Sequence, residues 1–271
     1  RTSLIDYERI VDGEGRRLIF FGRHAGLAGM LNTLWTLGRR LAWEGIANPF
    51  ETLRQAREYA DLTAAGADLE RAAAAIRAGG LPPAVTPLVV GFSGYGNVSQ
   101  GAQEIFDRLP HETVTPADLP RLAEGRRDRL YKVVFQEQDC FAPRDPGAAF
   151  DLADYFARGR AAYRSVFENY LPHLTAWVNC IYWDERYPRL LTLEGCRRLW
   201  GGGAPPRLRV IGDISCDPDG SAQCTVRPTD RVFFAGIVGV PWQDVARTRE
   251  VGGREVPDPA LGLKTADERG A

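Results

Sequence analysis

Short apolar runs alternate along the chain with longer segments in which apolar residues recur at helical spacing. Apolar runs typical of buried strands occupy residues 87–93, 112–115, 129–136, 175–183 and 207–215. Helical patterns occupy residues 98–109, 150–171 and 191–200. Because strands that alternate with helices form parallel sheets, the pattern predicts an α/β protein with a doubly wound parallel sheet.

The first eighty residues follow a different pattern. Strand-like runs at 3–10 and 16–21 flank a DGEG turn. Residues 25–45 place apolar side chains at helical spacing, and residues 51–78, rich in alanine and charge, predict one or two further helices.

Composition narrows the class of protein. The 271 residues, 44% of them hydrophobic, suffice for a real core, and a net charge of −1 gives no support for a nucleic-acid partner. No apolar run approaches the roughly 20 residues that span a bilayer, and no signal peptide is visible. The five cysteines form no CxxC pair and have no histidine at zinc-ligand spacing. We therefore expect free thiols, a cytoplasmic location and no metal site.

The stretch LVVGFSGYGNVSQGAQEIF contains a glycine motif in which Gly94, Gly96 and Ser99 fit G-x-G-x-x-(G/A/S). The first glycine permits a tight turn, and the second lets the backbone approach a pyrophosphate at the helix N-terminus. The motif follows an apolar strand and opens a helix, which is the context that favours dinucleotide binding over a ligand-free turn. The predicted cofactor-binding residues here are Ser93, Gly94, Tyr95, Gly96, Asn97 and Val98.

The sequence leaves open whether the dinucleotide is NAD or NADP. A carboxylate that binds ribose is expected about 20 residues on, at the end of the second strand. Counting from the second glycine reaches 115–116, where there is no acid, and Asp118 lies past the strand. Arg121, Arg126 and Arg127 could meet a 2′-phosphate, which slightly favours NADP over NAD. A solvated face of arginines is an equally good interpretation.

Four blocks of sequence carry a family resemblance. In order, they are LIDYERIVDGEGRRLIFFGRHAGLAGM, GYGNVSQGAQEIFDRLP, VNCIYWDERYPRLLT and VIGDISCDPDGS. Together, from about residue 3 to 229, they resemble the lysine–ketoglutarate reductase/saccharopine dehydrogenase (lysine-forming) family, which is related in fold to alanine dehydrogenase. The resemblance implies that the ε-amino group of lysine condenses with 2-oxoglutarate and that NAD(P)H reduces the imine to saccharopine, or the reverse.

The resemblance also implies a domain organisation of two Rossmann-like domains with cofactor and substrate in the cleft between them. Residues 1–30 would be the remnant of an N-terminal substrate domain, 31–215 the dinucleotide-binding domain with its connecting helices, and 216–271 a return segment and a poorly ordered tail. The expected partners are the small molecules lysine, 2-oxoglutarate and saccharopine, with no nucleic acid or membrane. A homo-oligomer is left open.

The resemblance further implies roles for individual residues outside the glycine motif. The residues expected to be catalytic are Glu8 and Asp213. The further cofactor-binding residues are Arg16, Val178, Gly212, Asp213, Ile214 and Ser215. The substrate-binding residues are Arg17, Phe21, Asn179, Cys180 and Ile181.

Elementary chemistry agrees with several of these roles. Arginine offers a planar, two-pronged donor to the carboxylates of saccharopine, and adjacent strand residues such as Arg16 and Arg17 point to opposite faces. VNCIY and VIGDIS end predicted strands, where open α/β sheets bind ligands. Alternatives remain for each residue: both arginines on the surface, Cys180 in packing rather than nucleophilic attack, and Asp213 as a loop cap.

The chain also departs from the family. The Lys and His that perform acid–base chemistry there belong to a segment preceding LIDYE, and neither Lys132 nor Lys264 matches them; residues 230–271 do not resemble the family either. Since such groups each contribute ~10²–10⁴-fold, we expect a fragment that binds a dinucleotide and turns over poorly. The alternatives are an alanine dehydrogenase- or opine-type enzyme, and a non-catalytic dinucleotide-binding module.

Overall fold

The computed structural model describes residues 6, 9–122, 125–201, 206–225, 248–251 and 254–257. The helices in these ranges are α1 (Gly22–Trp43), α2 (Leu62–Gly79), α3 (Asn97–Phe106), α4 (Glu137–Cys140), α5 (Leu152–Arg158) and α6 (Leu193–Trp200). The strands are β1 (Val89–Ser93), β2 (His111–Thr113), β3 (Leu130–Phe135), β4 (Phe141–Pro143), β5 (Tyr163–Ser165), β6 (Ala176–Asn179), β7 (Val210–Asp213), β8 (Thr248–Val251) and β9 (Arg254–Pro257).

Five strands form one sheet in the order β2-β3-β1-β6-β7, and every neighbouring pair is parallel. The predicted α/β class with a parallel sheet is therefore confirmed. Two antiparallel pairs, β4–β5 and β8–β9, lie outside this sheet. All five residues of the central strand β1 are buried, as expected for a strand covered on both faces.

Each face of the sheet carries its own hydrophobic cluster. One cluster combines apolar residues of α1, α2 and α3 with residues such as Val90, Phe92 and Val178 of the sheet. The other is rich in aromatic residues, and Phe167 lies with its ring centroid 5.1 Å from Phe135 and 5.0 Å from Trp177. Because consecutive strand residues point to opposite faces, β1 contributes Val90 and Phe92 to one cluster and Val89 to the other.

Glycines bring α1 and α3 into backbone contact. A Cβ atom added to Gly26 would lie 2.0 Å from the carbonyl oxygen of Val98, and one added to Gly101 would lie 2.0 Å from that of Arg23. Gly101 thus packs against α1, whereas the sequence motif suggested packing against the sheet. Arg23 and Glu104 add an ion pair of 2.7 Å across the two helices.

Two predicted elements are wrong. Residues 150–171 form no single helix, because α5 ends at Arg158. The next residue, Gly159, has a φ of +47° and contacts the backbone of Arg186, which leaves no room for a Cβ. Residues 16–21 form no strand, since only an isolated bridge joins Val11 to Arg17. The backbone bonds around that bridge join the Asp12 amide to the Arg16 carbonyl and the Leu18 amide to the Ile10 carbonyl, both at 2.9 Å, which is too short a pairing to make a strand.

Residues on both sides of the expected dinucleotide-binding domain, 31–215, pack against it. The boundary expected at residue 30 falls inside α1, which packs on α3. Residues 216–225 return to the domain, and the Leu191 amide donates to the Ser221 carbonyl at 3.0 Å. Most of the expected tail lies outside the described residues. In the ranges described, no helix has the length and apolar character to cross a bilayer.

Candidate functional site at the glycine turn

The central strand ends in a turn that requires glycine. Gly94 has a φ of +90°, a region that side chains with a Cβ rarely adopt. Its amide donates to the carbonyl of Phe135 at 3.0 Å, which fixes the turn against β3. A Cβ on Gly94 would lie 3.0 Å from Cγ2 of Ile181. The turn is therefore enclosed from the β6 side and held from the β3 side.

Gly96, by contrast, borders open space. No atom lies within 4 Å of a Cβ placed on it, and its φ of −72° is ordinary. Helix α3 begins at the next residue with no capping side chain and no acid in its first turn. By comparison, α2, α5 and α6 are each capped by a side chain, from Asp61, Asp151 and Thr192. The first N–H groups of α3 are thus left for an anion, on the side where Gly96 keeps the approach clear.

A buried polar network ties together the carboxyl ends of β1, β6 and β7. The Ser93 hydroxyl donates to Oδ1 of Asn179 at 2.9 Å, and Nδ2 of Asn179 donates to Oδ1 of Asp213 at 2.8 Å. Trp177 Nε1 donates to Ser93 Oγ at 3.0 Å, and Ser221 Oγ accepts from Asn179 at 2.7 Å. Ser93 and Asn179 are fully buried, so every one of these bonds replaces a bond to water.

Asp213 is the acidic member of the network. Its side chain also accepts hydrogen bonds from the hydroxyls of Ser215, at 2.7 Å, and Thr225. The residue is only 2% exposed. Three donors therefore satisfy a buried carboxylate that ends an apolar strand: one from β6, one from the residues directly after β7, and one from the returning segment.

The residues of the VNCIY segment differ in their burial and in their neighbours. Val178 is fully buried in the core. Cys180 is 8% exposed, and burial raises the pKa of its thiol to about 12, so that the thiol stays protonated at neutral pH. Ile181 lies against Gly94 and is only partly buried. Of the residues expected to bind substrate in this segment, Ile181 therefore borders the glycine turn with its side chain, while Asn179 faces the buried network.

The GDIS segment lies against α1. A Cβ on Gly212 would lie 2.1 Å from Oγ1 of Thr33, so this glycine permits close packing of β7 on the helix. Ile214 packs against Gly29 of the same helix. Ser215 is half-buried and bonds to Asp213. These residues share an edge of the sheet with the glycine turn, since β7 pairs in parallel with β6 and β6 with β1.

Only some of the N-terminal residues that were expected in the site lie near the glycine turn. Glu8 lies outside the described residues. Arg16 is exposed and pairs with Asp12 at 2.8 Å in the DGEG turn. Arg17 is half-buried, with its guanidinium 5.4 Å from the ring centroid of Phe20. Phe21 is 51% exposed and immediately precedes Gly22, where a Cβ would lie 3.3 Å from Asn97 at the start of α3. The chain at Phe21 therefore passes close to the glycine turn.

The three arginines that slightly favoured NADP lie toward the other end of the sheet. Arg127 donates to the carbonyl of Leu81 at 2.7 Å, and Arg126 pairs with Asp128 at 2.6 Å, both ahead of the strands β1 and β3. Arg121 is flanked by residues that share a small cleft with Pro172 and Arg207, which precede β6 and β7. In a parallel sheet these positions are at the amino edge, opposite the glycine turn.

Sequence reasoning missed one acidic residue at the turn. The strand beside β1 is β3, not the next strand along the chain, and β3 is followed by Gln136 and Glu137. The Tyr95 hydroxyl lies 3.5 Å from Oε1 of Glu137, and the negative charge of that carboxylate raises the pKa of Tyr95. The sequence signal that could have found Glu137 is the apolar run 129–136, which ends directly before it.

A cleft of about 380 Å³ lies apart from the glycine turn. It is lined by Arg144, Arg160, Arg164, Arg189 and Arg198, together with Glu168, Trp183 and other residues. Arg189 bonds to the 219–220 backbone and Arg198 to Glu168, so part of this positive charge is used in holding the loops together. No residue of the glycine turn lines this cleft.

The parallel sheet and the glycine turn at its central strand define the class: this is an α/β protein of the Rossmann-like type. The chain is homologous to proteins of the lysine–ketoglutarate reductase/saccharopine dehydrogenase family, which confirms the resemblance found in the sequence. It is 39% identical over 249 residues to the alpha-aminoadipic semialdehyde synthase of Arabidopsis thaliana, covering 86% of this chain and 23% of that protein.

Two further relatives are also enzymes named for alpha-aminoadipic semialdehyde or saccharopine. The mitochondrial alpha-aminoadipic semialdehyde synthase of Mus musculus is 35% identical over 245 residues, covering 82% of this chain and 26% of that protein. A saccharopine dehydrogenase [NAD(+), L-lysine-forming] of Neurospora crassa is 26% identical over 220 residues, covering 79% and 44%. The chain thus spans about a quarter of the length of the synthases. No protein-family model matches it.

Among solved structures, an L-alanine dehydrogenase matches with a TM-score of 0.35 and 14% identity, over 97% of this chain and 52% of that one. This likeness is too weak to add to what the sheet topology shows directly.

Proposed function

We propose that this chain is the dinucleotide-binding part of an NAD(P)-dependent oxidoreductase of lysine metabolism. The reaction is the reductive condensation of L-lysine with 2-oxoglutarate to saccharopine, or its reverse, at a CH–NH bond. The observation that carries the proposal is the glycine turn, with an open Gly96 and an uncapped helix, in a chain 39% identical to an alpha-aminoadipic semialdehyde synthase.

The residues of the turn suit a nicotinamide dinucleotide. The N–H groups at the start of α3 would bind the pyrophosphate, and Gly96 leaves room for it. When bound, the nicotinamide ring donates or accepts the hydride. The name of the Neurospora crassa relative, which includes NAD(+) and lysine, supports a nicotinamide cofactor and this substrate class.

The buried network would hold the strand ends that form the floor of the site. Since Asp213 is 2% exposed and accepts three hydrogen bonds, we assign it to positioning Asn179 and Ser215 rather than to proton transfer. Cys180 stays a protonated thiol and fills space. Arg17 and Phe21 remain the proposed substrate residues on the N-terminal side, because the chain at Phe21 passes the start of α3.

A ligand-dependent thermal melt tests the proposal without requiring turnover. Ligands that bind only the folded state raise its stability in proportion to the logarithm of their concentration above Kd. We expect NADH to raise the melting temperature of the 271-residue chain, and saccharopine to raise it further when NAD⁺ is present.

Alanine with NAD⁺ is the matched control, because it represents the alanine dehydrogenase-type alternative. A further rise with alanine and none with saccharopine would favour that alternative. A rise with NADH alone would indicate a dinucleotide-binding module without a saccharopine site. No response to any nicotinamide coenzyme would contradict the proposal.

A further inference from the structure

Five arginines line the cleft of about 380 Å³ that lies apart from the glycine turn, and we refer to it as the arginine cleft. They are Arg144, Arg160, Arg164, Arg189 and Arg198. The volume of the cleft falls within the range of roughly 300–1,000 Å³ that is usual for small-molecule sites. Because a cleft lined by charges of one sign focuses their field, the arginine cleft attracts anions.

The fold itself brings two of these arginines together. In the antiparallel ribbon β4–β5, Ala142 pairs with Arg164, and two residues further along the Arg144 amide donates to the carbonyl of Ala162 at 2.8 Å. Because side chains alternate between the two faces of a ribbon, Arg144 and Arg164 are diagonal neighbours on one face. Tyr163 lies on the opposite face and is only 1% exposed in the aromatic cluster, so the two arginines occupy the outward face.

Arg160 is held against the same ribbon by its backbone. Its carbonyl accepts a hydrogen bond from Nε of Arg144 at 3.0 Å, and its amide donates to the carbonyl of Arg186 at 2.7 Å, in the loop after β6. We call Arg144, Arg160 and Arg164 the ribbon arginines. The backbone thus keeps three like charges around one cleft, and a bound anion would offset their mutual repulsion.

The other charged groups of the cleft already have partners. Glu168 accepts from the amide and hydroxyl of Thr192, at 3.0 and 2.7 Å, and pairs with Arg198. Arg189 pairs with Asp219 at 3.1 Å. In the part of the chain that the structure describes, no carboxylate forms an ion pair with any of the three ribbon arginines, and all three are exposed. Their charge is therefore available to a ligand.

Three such guanidinium groups match a phosphate better than a carboxylate. A carboxylate offers two oxygens, which one arginine can bind with two parallel hydrogen bonds. A phosphate group carries about two negative charges at pH 7 and three strong acceptor oxygens, so it can accept from several arginines at once. We propose that the ribbon arginines bind a small anion that bears phosphate groups, at a site separate from the glycine turn. This site does not depend on the proposed function.

Isothermal titration of the 271-residue chain with inorganic pyrophosphate tests the proposal. We expect binding that weakens with added salt, and at least about tenfold weaker binding by the double variant Arg160→Gln/Arg164→Gln, which loses charge-assisted hydrogen bonds. Arg197→Gln is the matched control, because Arg197 is an exposed arginine of α6 that does not line the cleft, and it should bind pyrophosphate like the parent. Citrate, a carboxylate anion of similar charge, should bind at least about tenfold more weakly than pyrophosphate.

Because the glycine turn also suits a pyrophosphate, NADH is titrated into the same chains to tell the two sites apart. The double variant should keep the NADH affinity of the parent, and Gly96→Val should keep the pyrophosphate binding that the double variant loses. A thermal melt of each variant establishes that it is folded.

Four results would overturn the proposal. They are no pyrophosphate binding by the parent, equal binding by the double variant, loss of pyrophosphate binding in Gly96→Val, and citrate binding as tight as that of pyrophosphate. If pyrophosphate binds as expected and NADH does not bind, the proposed function fails while the arginine cleft stands.

Discussion

At the scale of single residues, the site is organised by one asparagine. Asn179 uses both ends of its amide, accepting from Ser93 and donating to Asp213 and Ser221. An aspartate or a leucine could not do both, because one has no donor when ionised and the other has no polar atom. This explains why an asparagine ends an apolar strand whose other residues are all buried.

Removing that amide should destabilise the fold. Asn179→Ala leaves the buried Asp213 carboxylate without one of its donors and Ser93 without its acceptor, so we expect a loss of about 3 kcal/mol in the free energy of unfolding. Denaturant unfolding measures it. Asn169→Ala, at an exposed position, is the control and should change stability by less than about 0.5 kcal/mol. Equal effects of the two substitutions would show that the network contributes little.

Individual residues could be predicted from the sequence where their effect on the backbone is local. They could not be predicted where their position depends on which strands pair in the sheet. The glycine turn follows from Gly94 and Gly96 themselves, because absent side chains have local consequences for the backbone. Glu137 could not be found by counting along the chain, since the count assumes that the next strand in sequence is the neighbour in space. Likewise, Arg126 and Arg127 were considered near the phosphate only because their position relative to the sheet edges was unknown.

At the scale of elements, the contact between α1 and α3 determines how the glycine-turn helix is held. Gly26 and Gly101 allow the two backbones to meet, and Thr33 of α1 meets Gly212 of β7. The start of α3 is thus positioned from one side by the sheet and from the other by a 22-residue helix. The segment before α1, which includes Phe21, is directed to the turn by the same contact.

This contact can be tested with a pair of glycine substitutions. Gly101→Ala places a Cβ 2.0 Å from the Arg23 carbonyl, so the helices must separate and we expect a loss of about 3 kcal/mol in the free energy of unfolding. Gly79→Ala, at the end of α2 with nothing within 4 Å, should be neutral or stabilising by up to ~1 kcal/mol. Circular dichroism during urea unfolding measures both. A Gly101→Ala protein as stable as the parent would contradict the close packing.

Most elements could be predicted from their patterns. The five strands of the parallel sheet and the helices α1, α3 and α6 lie where the residue pattern indicated, and every strand of the sheet except the edge strand β2 is buried along its whole length or nearly so. The segment 150–171 was predicted wrongly because its aromatic residues recur at helical spacing, whereas it folds as the short helix α5, the strand β5 and short turns whose aromatic residues join the cluster on the sheet. Helix α5 is followed by Gly159, which contacts the backbone of Arg186. Because Arg186 is distant in sequence, a local pattern cannot predict this helix end.

At the scale of the whole molecule, the parallel sheet gathers the family-like blocks at one edge. The glycine turn, VNCIY and GDIS end β1, β6 and β7, three adjacent strands. That convergence follows from parallel pairing, and it is the reason that VNCIY and GDIS lie at the same edge as a glycine turn that precedes them by about 80 and about 120 residues. The homology to alpha-aminoadipic semialdehyde synthases is the basis for the reaction proposed at this edge, and the glycine turn is the basis for the proposed coenzyme.

The central claim is that the glycine turn binds the pyrophosphate of a nicotinamide dinucleotide, and one substitution tests it most directly. Gly96→Val should fill the open space beside α3 without straining the backbone, because its φ is −72° and no atom lies within 4 Å. Isothermal titration with NADH should therefore show binding by the parent chain and at least about a hundredfold weaker binding by this variant, at equal melting temperature. Gly147→Val, at an exposed glycine in the loop after β4, is the control and should bind like the parent. Unaltered NADH affinity in Gly96→Val, or no binding by the parent chain, would contradict the account.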